Sequence, residues 1–150
     1  IGPEPVIECA KKVHDFLTIG APEPLQEAAV VGLRFPASYY DNLREIYTRK
    51  RAHFLAGLDD IGLEHTTPQG SYFVMVDISD FLKMNCFKGW TDLQFCEWMI
   101  RAVGVAAVPG SSFFREPVNH LIRLHFARSK ETLDEALGRL AKMREAAGRL

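Results

Sequence analysis

The apolar residues of this chain follow a helical spacing in five stretches, where one recurs every three or four positions. In four shorter stretches, apolar and β-branched residues alternate or run together, which is typical of strands. The pattern predicts helices over residues 3–18, 23–33, 37–61, 91–103 and from 129 onwards. It predicts strands over residues 63–66, 72–76, 105–108 and 121–126.

Local signals mark where several of these elements begin and end. Gly62 and Gly104 each follow a predicted helix, the usual place for a glycine at a helix C-terminus. Thr91 and Gln94 have the spacing of a capping box. Ser129 is suited to cap the final helix.

The order of the elements predicts an α+β fold class, with a small, mostly antiparallel sheet that carries helices on one face. The run over residues 72–76 is apolar throughout, so we expect that strand to be covered on both faces. The first half of the chain is helical and has no sheet to cover. We therefore expect its helices to be the outer layer of an α/β domain whose remainder lies outside this chain.

Composition and charge narrow the classes of function. A hydrophobic content of 47% is that of a globular chain, and no apolar run approaches the roughly 20 residues that span a bilayer. The net charge of −1 gives no reason to expect nucleic acid or an anionic membrane as a partner. Cys9, Cys86 and Cys96 form no CxxC pair, which favours a cytoplasmic location and buried free thiols. The five histidines form no cluster, so we predict no metal.

The last predicted strand carries the most informative residue. Its period of two puts Ile122, Leu124 and Phe126 on a core-facing side, and Arg123 and His125 on the other side. An unpaired guanidinium is costly to bury, so Arg123 must reach water, pair with an acid or bind an anionic ligand. Its fork of N–H donors matches a carboxylate at two points. On the pattern alone a structural salt bridge is favoured, because such ion pairs are common.

Other residues offer weaker chemistry. Ser111 lies in a loop without the GxSxG setting of a nucleophilic serine. The N–H groups of residues 110–112 can bind phosphate, but neither GxxxxGK[ST] nor GxGxxG is present. Asp77 and Asp80 are better explained as helix-capping or solvated residues than as a catalytic pair. His125 is better explained as a neutral, hydrogen-bonded side chain than as a catalytic base. The residues alone therefore predict one candidate anion site and no catalytic machinery.

Several short motifs occur in a specific order along the chain. They are IGP at residues 1–3, HDFLT at 14–18, PEPLQ at 22–26, YY at 39–40, PQGSYF at 68–73, GVAAVPGSSF at 104–113, LIRLHFA at 121–127 and ETL at 131–133. Each is weak alone, but their order and spacing together are specific. The set resembles the C-terminal part of the fold-type I, pyridoxal-phosphate-dependent aminotransferases of class I/II, of the kynurenine–oxoglutarate and methionine aminotransferase type.

The resemblance implies a role for Arg123 and a division into domains. Arg123 would grip the α-carboxylate of the amino-acid and 2-oxo-acid substrates. Residues 1–36 would be the C-terminal edge of the large cofactor domain, residues 37–62 an interdomain helix and residues 63–150 the small α+β domain. The same resemblance reverses the preference for a structural salt bridge at Arg123.

The resemblance also implies pyridoxal 5′-phosphate as the cofactor and a homodimer as the assembly. The loop at Ile19 and Gly20 would reach toward the active site of the partner subunit. Many relatives carry an aromatic residue where Ile19 stands, so an aromatic substrate is not implied. The family's Schiff-base lysine lies upstream of Ile1, so we expect no catalytic residue and no activity in this chain alone. Two alternatives stay open: a lyase of the same fold, and a non-enzymatic module that binds carboxylates or a partner protein.

Overall fold

The structure is a computed structural model that describes residues 2–150 of the chain. The chain divides into two compact units, residues 1–43 and residues 44–150. Within the described residues, no helix is both long enough and apolar enough to cross a membrane.

The first unit contains two helices, α1 (Glu4–Thr18) and α2 (Glu23–Leu33). Both have a proline in the first turn, where a missing N–H costs no helical hydrogen bond. Both helices are confirmed, α2 with its predicted bounds and α1 one residue shorter at its start. The apolar stripe of α1 is exposed, and Phe16 has 92% of its surface accessible. As predicted, these helices bury little of their apolar surface in this chain.

Helix α3 (Ala37–Ile61) begins in the first unit and continues into the second. In the second unit it buries Phe54, Leu55 and Leu58. Gly62 ends the helix with a φ of +74°, and its N–H donates to Asp59 O at 2.9 Å. The next N–H, of Leu63, reaches back to Leu58 O at 3.0 Å. This pair of bonds satisfies two of the last four carbonyls of α3, and the glycine ends the helix as predicted.

The sheet of the second unit has three antiparallel strands in the order β1-β3-β2. They are β1 (Phe73–Asp77), β2 (Val108–Pro109) and β3 (Leu121–His125). The central strand β3 pairs with both neighbours, so Arg123 lies between Met75 on one side and Val108 on the other. The predicted small antiparallel sheet is confirmed.

Helices cover one face of this sheet. The sheet residues Val74, Val76, Ile122 and Leu124 are buried and form one core with side chains of the helices. The other face is only partly covered, because Phe73, Met75 and Arg123 are half-buried there. The remaining elements are α4 (Ser79–Leu82), α5 (Asp92–Trp98), α6 (Lys130–Leu140) and α7 (Met143–Ala147), a π-helical turn at Met99–Val103 and 3-10 turns at Asn85–Phe87 and Gly110–Phe113.

The strand predicted over residues 63–66 is wrong, because the structure has only a single bridge there, between His65 and Val76. The N–H of Met75 donates to the hydroxyl of Thr66 at 3.2 Å, in place of the Thr66 carbonyl that a ladder would use. The next donor of an antiparallel ladder would be residue 68, which is proline and has no N–H. Pairing therefore stops after one bridge.

Four other predictions need correction. The strand over residues 72–76 was expected to be covered on both faces, but in β1 buried and half-buried residues alternate. The helix over 91–103 is α-helical only to Trp98, and its last turn is π-helical, with Gly104 N–H donating to Met99 O at 2.8 Å. The strand over 105–108 is reduced to β2, which pairs with β3 only at Val108 and Pro109, and the N–H of Val105 donates back to Met99 O at 3.4 Å. The final helix ends at Leu140, and α7 follows separately.

The cysteines differ in environment. Cys96 is 3% exposed, as predicted for a buried free thiol, and burial and then the charge of Asp92 raise its pKa to about 11. Cys9 is exposed on α1, so the prediction that all three thiols are buried is wrong there. The position on an amphipathic stripe predicted burial, but the stripe itself is exposed in this chain.

These environments predict a difference in thiol reactivity. At pH 8 we expect a disulfide-exchange reagent to label Cys9 in the folded chain and to leave Cys96 unlabelled. The thiolate is the reactive form, and a pKa above the ambient pH keeps the Cys96 thiol protonated as well as buried. Mass spectrometry of the labelled peptides measures the difference, and denaturant should make the two thiols equally reactive. Rapid labelling of Cys96 in the folded chain would contradict the packing around α5.

Gly110 provides a test of the junction between β2 and β3. A Cβ atom at this buried position would lie 2.4 Å from the carbonyl oxygen of Leu121, which is backbone and cannot move aside. We expect Gly110→Ala to destabilise the chain by about 1–3 kcal/mol. Urea denaturation followed by circular dichroism measures the change.

The matched control is Gly138→Ala in α6, where a Cβ atom meets no atom within 4 Å. That substitution should stabilise the chain by up to about 1 kcal/mol, because alanine favours the helix over glycine. Equal stability of the Gly110→Ala variant and the parent chain would show that the β2–β3 junction is looser than described.

Candidate anion-binding site at Arg123

Arg123 occupies the middle of the central strand, on the face of the sheet that the helices do not cover. The strand period that buries Ile122 at 1% and Leu124 at 5% turns Arg123 to the opposite side. Its position is fixed by the backbone ladders to Met75 and Val108 on the two neighbouring strands. The predicted division of the strand into two faces is confirmed.

Two aromatic rings contact the guanidinium of Arg123. Its central carbon lies 3.9 Å from the ring centroid of Phe73 and 4.1 Å from that of Phe113. A guanidinium over an aromatic ring gains about 0.5–1 kcal/mol at an exposed site and more when it is desolvated. Stacking of this kind uses the faces of the groups and leaves the N–H edges of the arginine available.

No acid of the described chain neutralises this charge. Among residues 2–150, the guanidinium of Arg123 makes no ion pair and no hydrogen bond to a protein group. The salt bridge that the sequence pattern favoured is therefore wrong for the chain as described. A half-buried guanidinium with unused N–H donors is an arrangement suited to bind an anion, and a carboxylate can accept two of those N–H bonds at once.

Phe73 is the first residue of β1, and its ring contacts Arg123 from there. In the pairing of β1 with β3 it stands opposite His125, one step diagonally from Arg123. Its ring contacts that of Tyr72 at a centroid distance of 4.5 Å. Ser71, just before, has a φ of +62°, which is uncommon for a residue with a side chain. The backbone turn into β1 is thus set by an unfavourable local conformation next to the site.

Phe113 reaches Arg123 from the 3-10 turn that follows β2. Asp92, at the start of α5, accepts hydrogen bonds from the N–H of Ser111 at 2.7 Å and from its hydroxyl at 3.1 Å. Asp92 also accepts from the N–H of Leu93 at 3.0 Å and is 1% exposed. The sequence motifs did not single out Asp92, because its position after Thr91 indicates only an acid in the first turn of a helix.

The Ser111 contact also bears on the loop at residues 110–112, whose backbone N–H groups can bind an anion although its sequence has no phosphate-binding motif. The N–H of Ser111 is already used by the carboxylate of Asp92. A second negative group at the same donor would meet a buried carboxylate, so this loop is not a phosphate cradle in the structure.

The remaining candidate residues are Asp77 and Asp80, which have structural roles, and His125, whose surroundings favour its neutral form. Asp77 accepts from the N–H of Ser79 at 2.7 Å, and Asp80 pairs with Lys83 at 2.9 Å, so they do not form a catalytic pair. Partial burial, followed by the positive charges of Arg128 and of Arg123, lowers the pKa of His125. The lowered pKa favours the predicted neutral imidazole, but the predicted hydrogen bond is wrong, because the side chain of His125 makes none to the described residues.

Ile19 and Gly20 lie in the first unit, between α1 and α2. Ile19 has a φ of +63° and is 90% exposed, and the N–H of Gly20 donates to Thr18 O at 2.6 Å. This is a γ-turn with a positive φ at its centre, a rare and strained form. A β-branched residue in this conformation is a genuine backbone outlier.

The comparisons with known proteins identify the family. The family described as aminotransferase class I and II matches residues 1–140. The chain belongs to the class I and II aminotransferase family. The predicted resemblance is thereby confirmed at the level of the family.

Two relatives illustrate the match. The chain is 35% identical over 144 residues to methionine aminotransferase of Escherichia coli, with 95% of this chain and 36% of that protein covered. It is 32% identical to human kynurenine–oxoglutarate transaminase 1, with 95% of this chain and 37% of that protein covered. The chain thus spans a little over a third of the length of the curated relatives that it matches.

Solved structures of aminotransferases agree with this family assignment. A crystal structure from Escherichia coli that is described as having a methionine aminotransferase function has a TM-score of 0.74 at 35% identity and covers 95% of this chain and 36% of its own. The structure of N-succinyldiaminopimelate aminotransferase from Mycobacterium tuberculosis has a TM-score of 0.75 at 31% identity. The match covers 93% of this chain and 35% of that structure's chain. The α+β fold of this family member is therefore that of known aminotransferases.

The lysines of the described chain do not fit the bond to pyridoxal phosphate. A lysine that forms a Schiff base needs a lowered pKa, which burial provides. Lys11 and Lys12 are exposed on α1, and Lys11 pairs with Glu8 at 2.7 Å. The hydrogen bonds and charges of Asp80 and Asp134 raise the pKa of Lys83 and of Lys130, the opposite direction. No lysine in the described range is buried, so no chemical step is assigned to one.

Proposed function

We propose that this chain is the C-terminal part of a pyridoxal-phosphate-dependent aminotransferase, in which Arg123 binds the α-carboxylate of the amino-acid and 2-oxo-acid substrates. The observation that carries the proposal is the unpaired guanidinium of Arg123 on the rings of Phe73 and Phe113. It lies on the sheet face that the helices of this chain leave partly open. Membership of the class I and II family supports the reaction class.

In this proposal Arg123 binds the substrate carboxylate and orients the substrate. Two N–H groups of its guanidinium donate to the two oxygens of the substrate carboxylate, which fixes one end of the substrate. The fixed end sets the direction of the Cα–H bond, a contribution of proximity and orientation to the rate. Pyridoxal phosphate supplies the electron sink of such reactions, and the lysine that carries it belongs to a part of the protein outside this chain.

The domain organisation is proposed on the same basis. Residues 1–36 form the C-terminal edge of the large cofactor domain, residues 37–62 the interdomain helix and residues 63–150 the small domain. The exposed apolar stripe of α1 supports the first assignment, because such a face is normally covered. The complete protein is a cytoplasmic homodimer, in which Ile19 and Gly20 line the substrate side of the partner subunit.

Arg123→Lys tests the carboxylate role in the complete aminotransferase that carries this chain. We expect the KM for the amino acid to rise about 30- to 150-fold, the equivalent of roughly 2–3 kcal/mol, because lysine cannot make the charged two-point contact. The absorbance of bound pyridoxal phosphate should stay unchanged. Steady-state kinetics and absorbance spectra measure the two effects.

The control for this variant is Arg128→Lys, a change at an exposed arginine outside β3. It should leave the KM within about twofold of the parent value, since surface substitutions have small effects. Unchanged kinetics in Arg123→Lys would remove the proposed role. Release of a 2-oxo acid without an amino acceptor would instead indicate the lyase chemistry.

The 150-residue chain by itself should be inactive. Mixed with pyridoxal phosphate, it should develop no absorbance band of a specific internal imine and should transfer no amino group between amino and 2-oxo acids, because none of its described lysines is buried. The complete protein under the same conditions is the positive control. Turnover by the chain alone would overturn the division of the active site proposed here.

A further inference from the structure

Asp92 is a buried carboxylate without a cationic partner in the described chain. It is the one charged residue among the described residues that is buried in the core, at 1% exposure, and it forms no ion pair there. Burying a charge is costly unless hydrogen bonds compensate it. The compensation comes from the N–H of Leu93, the N–H of Ser111 and the hydroxyl of Ser111.

Helix capping alone does not account for this arrangement. The start of α5 is already closed by Thr91 and Gln94, which exchange hydrogen bonds in a complete capping box. Asp92 needs only its contact with Leu93 to complement the positive end of the helix. Two of its three hydrogen bonds instead reach Ser111, nineteen positions away along the chain.

Those two bonds fix the turn that carries Phe113. The turn begins where β2 pairs with β3, with Val108 opposite Arg123, and Gly110 closely approaches the backbone of Leu121. Asp92 holds the next residue, Ser111. Phe113 itself is 46% exposed, so little apolar burial holds its ring over Arg123. The orientation of the ring therefore depends on the backbone that precedes it.

We propose that Asp92 is a positioning residue for substrate recognition, which acts by holding Ser111 so that Phe113 orients the guanidinium of Arg123 toward a substrate carboxylate. The inference rests on the proposed function of Arg123. It assigns a recognition role to a side chain that itself touches no substrate. Since both substrates of an aminotransferase carry an α-carboxylate, loosening the turn weakens the binding of both by the same factor.

Asp92→Asn in the complete aminotransferase is the first test. The amide keeps the size of the side chain but has one acceptor oxygen for three donors. We expect the KM for the amino acid and the KM for the 2-oxo acid each to rise about five- to tenfold, the factor that corresponds to the net loss of one ordinary hydrogen bond. The kcat should stay within about twofold, because once the substrate is bound, the two-point contact with Arg123 that orients its Cα–H bond is still made.

A double-mutant cycle with Phe113→Leu separates positioning from general stability. If Asp92 acts through Phe113, the leucine variant shows a similar rise in both KM values, and adding Asp92→Asn to it produces no further rise. Thermal unfolding of the same variants records any loss of stability separately. Rises in KM that multiply in the double variant, or a loss of stability without any change in KM, would overturn the proposal.

Ser111→Ala keeps the test valid if Asp92→Asn does not fold. It removes only the hydroxyl contact to Asp92 and leaves the N–H contact, so both KM values should rise about two- to threefold. The matched control is Ser112→Ala, at an exposed neighbouring serine, which should change neither value. Equal KM values in the two alanine variants would count against Asp92.

The Arg123→Lys variant distinguishes the failure of this inference from that of the proposed function. If Arg123→Lys leaves the KM values unchanged, the role of Arg123 as the carboxylate anchor fails, and the inference about Asp92 fails with it. If Arg123→Lys raises the KM values and Asp92→Asn does not, only the positioning role of Asp92 is wrong.

Discussion

The antiparallel pairing of β3 with strands on both sides is the constraint on which the second unit depends. Backbone hydrogen bonds fix the position of Arg123 along its strand, opposite Met75 on one neighbour and Val108 on the other. The pleat of the strand decides on which face each side chain lies. Burial of Ile122 and Leu124 on the helix side makes a shift of one residue very unfavourable, because it would turn Arg123 into the core. The hydrophobic core therefore holds the charged group on the open face.

The setting of Arg123 combines rigid and weak restraints. The strand backbone is held by two ladders, whereas the guanidinium is held only by the rings of Phe73 and Phe113. Those rings come from segments with special backbone requirements: a positive φ at Ser71 before one, and a buried carboxylate behind the other. Unfavourable local features next to a site are expected where a fold preorganises a ligand contact, and the hydrogen bonds from Leu93 and Ser111 compensate the buried charge of Asp92.

The sequence anticipated the elements whose signals are local. The three long helices, the glycine that ends α3 and the capping box of α5 depend on side-chain spacing and on contacts within a few residues. The strand over residues 63–66 failed because pairing depends on the partner strand as well. There, Pro68 and the hydroxyl of Thr66 interrupt the ladder to β1. The exposure of Cys9 was likewise beyond the reach of a periodic pattern, which shows that a face is apolar but not what covers it.

By itself, the sequence determined the family, the α+β class and the face of the strand on which Arg123 lies, because motif order and the period of a strand are properties of the linear chain. Only the tertiary structure decided that Arg123 has no acidic partner in the described chain, that Phe73 and Phe113 contact it, and that Asp92 holds the turn of Phe113. These facts join residues that are distant in sequence. No local pattern specifies such contacts, since they arise when the sheet and α5 pack into one core.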